Sequence, residues 1–257
     1  MGGSLTKAYK DSGYSWNPSR RRRRAASHES SPESRGRRHV VTDPTVVIAS
    51  MRANGFGKRL FDIIAAAGGL IALSPLLLGV ALLIKLRDGG TALYGHPRIG
   101  RQGRVFRCWK FRSMVASGGE ALLAEHFARC PAAEREWRET QKLADDPRVT
   151  RIGAFIRKTS IDELPQFFNV LKGDMSLVGP RPPIPYEAAQ YQPWHLRRVM
   201  TAKPGITGLW QVEGRSRVSF SEMVRMDVRY IRDCSLALDL KLLFKTILVV
   251  IRCDGAG

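Results

Sequence analysis

The chain has 257 residues, enough for one or two domains with a real core. Hydrophobic residues make up 44%, which excludes a wholly disordered chain and a multi-span membrane protein alike. Lys and Arg number 42 against 23 Asp and Glu. The resulting net charge of +19 calls for anionic partners: nucleic acid, anionic lipid or phosphorylated substrates.

Residues 1–54 form a polar arm, rich in Ser, Gly, Pro and Arg, with the run Arg20–Arg24 and a net charge of +7. Such composition cannot bury enough surface to offset ordering entropy, so the arm is expected to be disordered. The Arg run reads first as a solvated tail. It also suits a tether to anionic lipid headgroups, at ~1 kcal/mol per basic residue near the surface. No aromatics interleave with it, so base stacking has no support there. Residues 1–50 hold no apolar core of a signal peptide. Cys108, Cys130, Cys234 and Cys253 form no C-x-x-C pair, which fits a reducing compartment better than a disulfide or zinc scaffold.

Leu60–Ile84 is the most apolar stretch, 25 residues with one charge, Asp62. As a helix it would cover ~37 Å, enough for a bilayer core of ~30 Å. Ser74-Pro75 at its middle predicts a break, with the Ser74 hydroxyl as a local hydrogen-bond partner. Lys58-Arg59 precede it and Lys85 and Arg87 follow, so neither side is marked as the outer one. A re-entrant helix over 58–86, a kinked single span and a buried core helix all remain open on these grounds.

Gly and Pro turns are expected over 91–103, and a short strand over 104–114. Helix is expected over 118–143, interrupted near Pro131, with a turn at Asp145-Asp146-Pro147. Short helices follow at 152–157 and 165–171, then a rigid extended loop, Gly179–Pro185. Residues 186–200 and 219–233 read as helix. The 16 residues 236–251 are too short and too charged to span, and suit an amphipathic helix lying in a membrane interface. The fold class is therefore mainly α with a small amount of β.

Asp162-Glu163 lies in Arg157-Lys158-Thr159-Ser160-Ile161-Asp162-Glu163-Leu164-Pro165. Ser160-x-x-Glu163 matches a capping box, a common structural device. With Ser160 as N-cap, however, Pro165 would cost an intrahelical bond, so the pair sits better at a helix mouth. Two adjacent carboxylates then suit two tasks, such as nucleophile and Mg²⁺ ligand. Lys110, Arg112, Arg157 and Arg181 suit phosphate contacts, and the loops Gly179–Pro183, Lys203–Gly208 and Gly214–Ser216 suit diphosphate binding. Each of these is weak alone. No P-loop, dinucleotide fingerprint or H-E-x-x-H is present.

Taken in order, the motifs are specific. They are Lys58-Arg59-x-Phe61-Asp62 before Ser74-Pro75, Lys110–Met114, Thr159–Gln166, Gly173–Pro182, Lys203–Gly208 and Gly214–Ser216. Over residues 55–257 the chain closely resembles the bacterial sugar transferases that are monotopic phosphoglycosyl transferases. The resemblance implies a compact cytoplasmic catalytic domain on a re-entrant helix at the bacterial inner membrane. It implies transfer of a sugar-1-phosphate from a UDP-sugar to undecaprenyl phosphate, releasing UMP, at the start of exopolysaccharide, capsule or O-antigen assembly. Asp162 then matches the nucleophile that forms an aspartyl-phosphosugar, and Glu163 matches the Mg²⁺ ligand. Lys110, Arg112, Arg157, Arg181, Pro182 and Arg215 match substrate-binding positions, and Ser74-Pro75 matches the helix break. Gly208–Val212 resembles the branch that often primes with a hexose-1-phosphate. Anionic lipid is an expected partner and nucleic acid is not; the oligomeric state stays open, a homodimer included. A catalytically silent basic membrane adaptor is the alternative, against which the intact Asp162-Glu163 pair speaks.

Overall fold

The computed structural model describes residues 51–252, apart from 52, 141–142, 190, 193 and 215–217. The Arg-rich run, Arg215 and Cys253 lie outside them. The described residues belong to one compact unit. Packing begins before residue 55: Ala53 is buried in the core, and the Asn54 side-chain amide donates to the Thr201 carbonyl.

Helix α1, Phe56–Asp88, is one 33-residue helix, ~50 Å long at 1.5 Å per residue. It stays helical through Pro75, where the sequence predicts a break. Pro75 cannot donate to the Ile71 carbonyl four residues back, and the Ser74 hydroxyl bonds that same carbonyl at 2.8 Å. The freed acceptor is thus satisfied locally. Gly89, at φ 64°, closes the helix with its N–H on the Lys85 carbonyl.

Only 11% of the most apolar window of α1 is buried, which removes the buried-core-helix alternative. What is buried forms a stripe: Lys58, Asp62, Ala66, Val80 and Ile84. Lys58 Nζ meets Asp239 Oδ2 at 2.6 Å, and Arg59 donates to the Val170 and Leu171 carbonyls. Asp62 accepts from the Leu177 N–H and the Ser176 hydroxyl, each at 3.1 Å. Further along, Val80 and Ile84 pack with Phe111 and Ile156. Both ends of α1 therefore rest on the same folded body, while Ile64, Ile71 and Leu78 between them face outward.

Strands β1, Leu93–Ile99, and β2, Val105–Phe111, form an antiparallel hairpin. The sequence predicts β2 but turns in place of β1, because Gly95 and Pro97 interrupt the pattern. Pro97 is tolerated because a two-stranded ribbon has an open edge. Helices α2, Gly119–Arg129, and α3, Pro131–Thr140, divide at Cys130-Pro131 as expected. Helix α4, Arg151–Lys158, is capped by the Thr150 hydroxyl on the Gly153 N–H. A 3-10 turn, Ile161–Glu163, leads into α5, Gln166–Lys172.

Two three-residue strands follow, β3, Ser176–Val178, and β4, Gly205–Thr207, paired in parallel. Between them lie the expected extended loop and two short helices, α6, Pro185–Ala189, and α7, Leu196–Thr201. The single helix expected over 186–200 is thus two. Gln192 precedes a proline, a position biased away from helix. Helix α8, Leu209–Glu213, is short; α9, Phe220–Asp233, opens with a true capping box, Ser219 with Glu222.

Helix α10, Leu236–Ile251, coincides with its predicted limits. Its charges are largely spoken for inside the protein: Asp239 by Lys58, and Lys245 by Glu213 at 2.8 Å. Leu236, Leu240, Phe244, Ile247 and Ile251 form an exposed apolar stripe, while Leu242 is fully buried. Phe155 on α4 and Phe168 on α5 are exposed as well. The main core gathers Ala66, Phe106, Val170, Met175, Leu177, Tyr230 and Leu242.

Candidate active site

The two carboxylates sit on the 3-10 turn between α4 and α5. Ser160 adopts φ 56° and its hydroxyl caps nothing, so the Ser160-x-x-Glu163 tetrad is not a capping box here. The Glu163 carboxylate instead meets Lys110 Nζ at 2.5 Å, and Asp162 Oδ2 lies 3.7 Å from the same ammonium. One cation at the end of β2 thus serves both acids. Asp162 is buried, whereas the Glu163 side chain is about as open as a surface residue, at 37%.

Three contacts fix this arrangement. Fully buried Asn169 of α5 bonds the β2 backbone twice, accepting from the Trp109 N–H at 2.9 Å and donating to the Arg107 carbonyl at 2.7 Å. It thereby locks α5, and the turn before it, to the strand that carries Lys110. Helix α4 abuts the end of β2 at Gly153, where a Cβ would fall 1.9 Å from the Ser113 carbonyl oxygen. That approach lets Arg157 Nε donate to the Ser113 hydroxyl at 2.8 Å, placing its charge within range of Asp162.

Burial pushes the Asp162 carboxyl above its ordinary value, helped by neighbouring Glu163; Lys110 and Arg157 pull it back without cancelling the rise. For Lys110, burial pulls down, but Glu163 and Asp162 together outweigh it, and the ammonium is held above the usual lysine value. A partly desolvated carboxylate beside a more open one, under a shared cation, can act on a phosphorus centre or help to hold a cation.

The other predicted residues divide. Arg181 follows the β3–β4 junction, where a Cβ on Gly205 would lie 2.0 Å from the Gly179 nitrogen. This close backbone approach, with Gly179 N–H on the Thr207 carbonyl and Gly205 N–H on the Pro180 carbonyl, holds the loop rigid. Pro182 is buried, and its carbonyl accepts from Arg98 at 3.0 Å. Arg112 is not brought to the carboxylates: its guanidinium donates to the Thr91 hydroxyl at 2.6 Å on the exposed side.

Sequence reasoning misses Arg98, which stands electrostatically close to two of the predicted residues. It lies on β1, and its charge acts on both Arg181 and Glu163. Burial first, then Arg181, lowers the Arg98 pKa below the ordinary arginine value. Also missed is the buried pair Arg198–Asp227, at 2.6 Å. An intact β1 prediction would have exposed Arg98; no local signal marks the pair.

Comparison with known proteins gives this geometry a context. An exopolysaccharide production protein, ExoY, of Sinorhizobium fredii is 48% identical over 205 residues, 79% of this chain and 88% of that protein. An undecaprenyl-phosphate galactose phosphotransferase of Salmonella typhimurium is 50% identical over 205 residues, 80% of this chain. An undecaprenyl-phosphate glucose phosphotransferase of Komagataeibacter xylinus is 42% identical over 200 residues, 74% of this chain. The chain spans 42% and 35% of the length of these last two, so it corresponds to one part of each. The bacterial sugar transferase family model matches residues 53–253, which include every element described above, and the chain belongs to that family.

Proposed function

We propose that this chain transfers a hexose-1-phosphate from a UDP-sugar to undecaprenyl phosphate, releasing UMP, and so starts a bacterial surface polysaccharide. The observation that carries the proposal is the Asp162-Glu163 pair gathered under Lys110. The names of the relatives, a galactose and a glucose phosphotransferase, support the substrate class.

The chemistry follows in two displacements. An Asp162 oxygen attacks the phosphorus that bears the sugar. Its bond to the bridging oxygen of the diphosphate breaks, and UMP leaves with that oxygen. A phosphate oxygen of the lipid then attacks the same phosphorus; the aspartyl bond breaks, and the carboxylate returns free. Lys110, Arg98, Arg157 and Arg181 supply fixed positive charge for the phosphoryl oxygens.

Among the described residues no cluster of three or more His, Cys, Asp or Glu side chains gathers for a metal. One open carboxylate, Glu163, beside the buried Asp162 nevertheless fits Mg²⁺, which is commonly held by one or two carboxylates together with substrate phosphates. Glu163, the more exposed of the two, would hold it. When bound, the ion neutralises charge on the diphosphate.

UMP release from UDP-glucose or UDP-galactose, dependent on polyprenyl phosphate and Mg²⁺, is the direct test. No release from any UDP-hexose or N-acetylated UDP-sugar would leave a basic membrane adaptor. Glu163→Gln is expected to raise the Mg²⁺ concentration needed for half-maximal rate at least about tenfold. An unchanged Mg²⁺ titration would remove Glu163 from the metal.

The membrane arrangement belongs to the same proposal. Both ends of α1 dock on one body, its middle faces outward, and α10, Phe155 and Phe168 add exposed apolar surface. These features, with the Ser74 hydroxyl taking up the carbonyl that Pro75 frees, support a helix that bends at Pro75 without breaking, dips into the membrane and returns, leaving both flanks on the cytoplasmic face with the catalytic part. A cysteine introduced at position 52, in a chain lacking the native four, should stay protected from an impermeant thiol reagent in intact spheroplasts. Labelling before the membrane is opened would mean that α1 spans.

A further inference from the structure

The register of the β1–β2 hairpin sets a row of side chains beside the carboxylates. Tyr94 lies opposite Lys110, His96 opposite Cys108 and Arg98 opposite Phe106. Directly paired residues of an antiparallel ladder share a face, so Tyr94, His96 and Arg98 rise on the face that carries Lys110. His96 is the diagonal neighbour of Lys110, at about 7–8 Å between backbones, and comes between it and Arg98 along the strand. The chemistry derived above gives His96 no part.

The ring is held in one orientation. Its Nδ1 lies 3.0 Å from the Pro97 carbonyl oxygen, which can only accept. Nδ1 therefore carries the hydrogen, and the neutral ring leaves Nε2 as a bare acceptor. Tyr94 meets the imidazole edge-on, with ring centroids 6.0 Å apart. Charged groups act on it from three elements: Arg98 on β1, Lys110 on β2 and Glu187 on α6. Burial first, then Arg98, with Lys110 adding, outweighs the Pro97 carbonyl and Glu187 and keeps the His96 pKa below the ordinary histidine value. At neutral pH the Nε2 lone pair is therefore free. Neither neighbouring cation takes it: Lys110 is bound to Glu163, and Arg98 donates to the Pro182 carbonyl. Among the described residues Nε2 has no partner, and it is not sealed from solvent.

An acceptor needs a donor, and this decides what meets it. The oxygens of an ionised diphosphate only accept, and a polyprenyl chain brings no hydroxyl. The ribose hydroxyls of a UDP-sugar lie beyond its second phosphate. The hexose hydroxyls are nearer, because the sugar hangs on the phosphorus that Asp162 attacks beside Lys110. On the UDP-sugar reading above, we infer that His96 Nε2 accepts a hydrogen bond from one hydroxyl of the transferred sugar and so helps to select that sugar.

The test compares kcat/KM for UMP release by the full chain in lipid nanodiscs, with the UDP-hexose it prefers and with that donor's monodeoxy analogues. His96→Ala should lower kcat/KM for the parent donor about tenfold. For one analogue, the one lacking the hydroxyl that His96 holds, wild type and variant should agree within about twofold, because neither makes the bond. His96→Gln, whose amide oxygen can accept in place of Nε2, should regain most of the loss on the parent donor. A merely loosened site would depress every donor alike. Equal loss across the parent and all its deoxy analogues, or no loss in His96→Ala, would overturn the assignment, while wild-type turnover would leave the UDP-sugar reading standing. A wild type that releases UMP from no UDP-sugar would overturn both.

Discussion

Asp162→Asn is expected to lower UMP release by at least about 10³-fold while UDP-sugar binding persists. The substitution keeps the shape of a side chain buried between Lys110 and the 3-10 turn, and removes only its anionic oxygen. In the wild type, label from the sugar phosphate should attach to protein when the lipid acceptor is withheld, and the variant should take none. Substantial turnover by D162N would exclude a covalent role. The rate should also carry its acid limb at higher pH than a free aspartate would give. Burial, with Glu163 beside it, raises the carboxyl, so as pH falls Asp162 is protonated early and the nucleophile is lost. A pH–rate profile flat down to the ordinary carboxylate range would contradict that ordering.

Lys58→Met should cost about 3–5 kcal/mol. Lys58 Nζ lies 2.6 Å from Asp239 Oδ2, and the Tyr230 hydroxyl donates to the other oxygen at 2.6 Å. Asp239 has no exposed surface, so its carboxylate would remain buried with a single hydroxyl partner. Thermal unfolding in nanodiscs should shift down by about 10 °C. The double change Lys58→Met with Asp239→Leu should recover much of the loss, since a matched apolar pair leaves no charge stranded. A single variant melting within about 2 °C of wild type would show that the pair does not hold α1 to α10.

The contrast between two identical patterns shows what the sequence can and cannot reveal. Ser219-x-x-Glu222 is a capping box in the structure and Ser160-x-x-Glu163 is not. The first opens a 14-residue amphipathic helix whose own pattern confirms it. The second precedes a proline, and Lys110, 53 positions earlier, takes the glutamate. Long periodic helices such as α9 and α10 are legible because their apolar spacing repeats. The strands β3 and β4 are not: three residues each, paired in parallel across a long crossover, they carry no local period. The two carboxylates, Lys110 and Arg157 stand out as charged residues in a recognisable order. Arg98, Arg198 and Asp227 do not, because each matters through a partner distant in sequence.

Docking of both ends of α1 makes this long apolar helix and the rest of the described fold one folding unit. A gene trimmed to start after Asp88 would strip Ala66, Val80 and Ile84 from two hydrophobic clusters and leave Asp239 without its cation. The product would be an insoluble or molten polypeptide rather than a soluble enzyme. Fusions that replace α1 with another helix would fail for the same reason, unless they carried lysine and aspartate at the positions of Lys58 and Asp62.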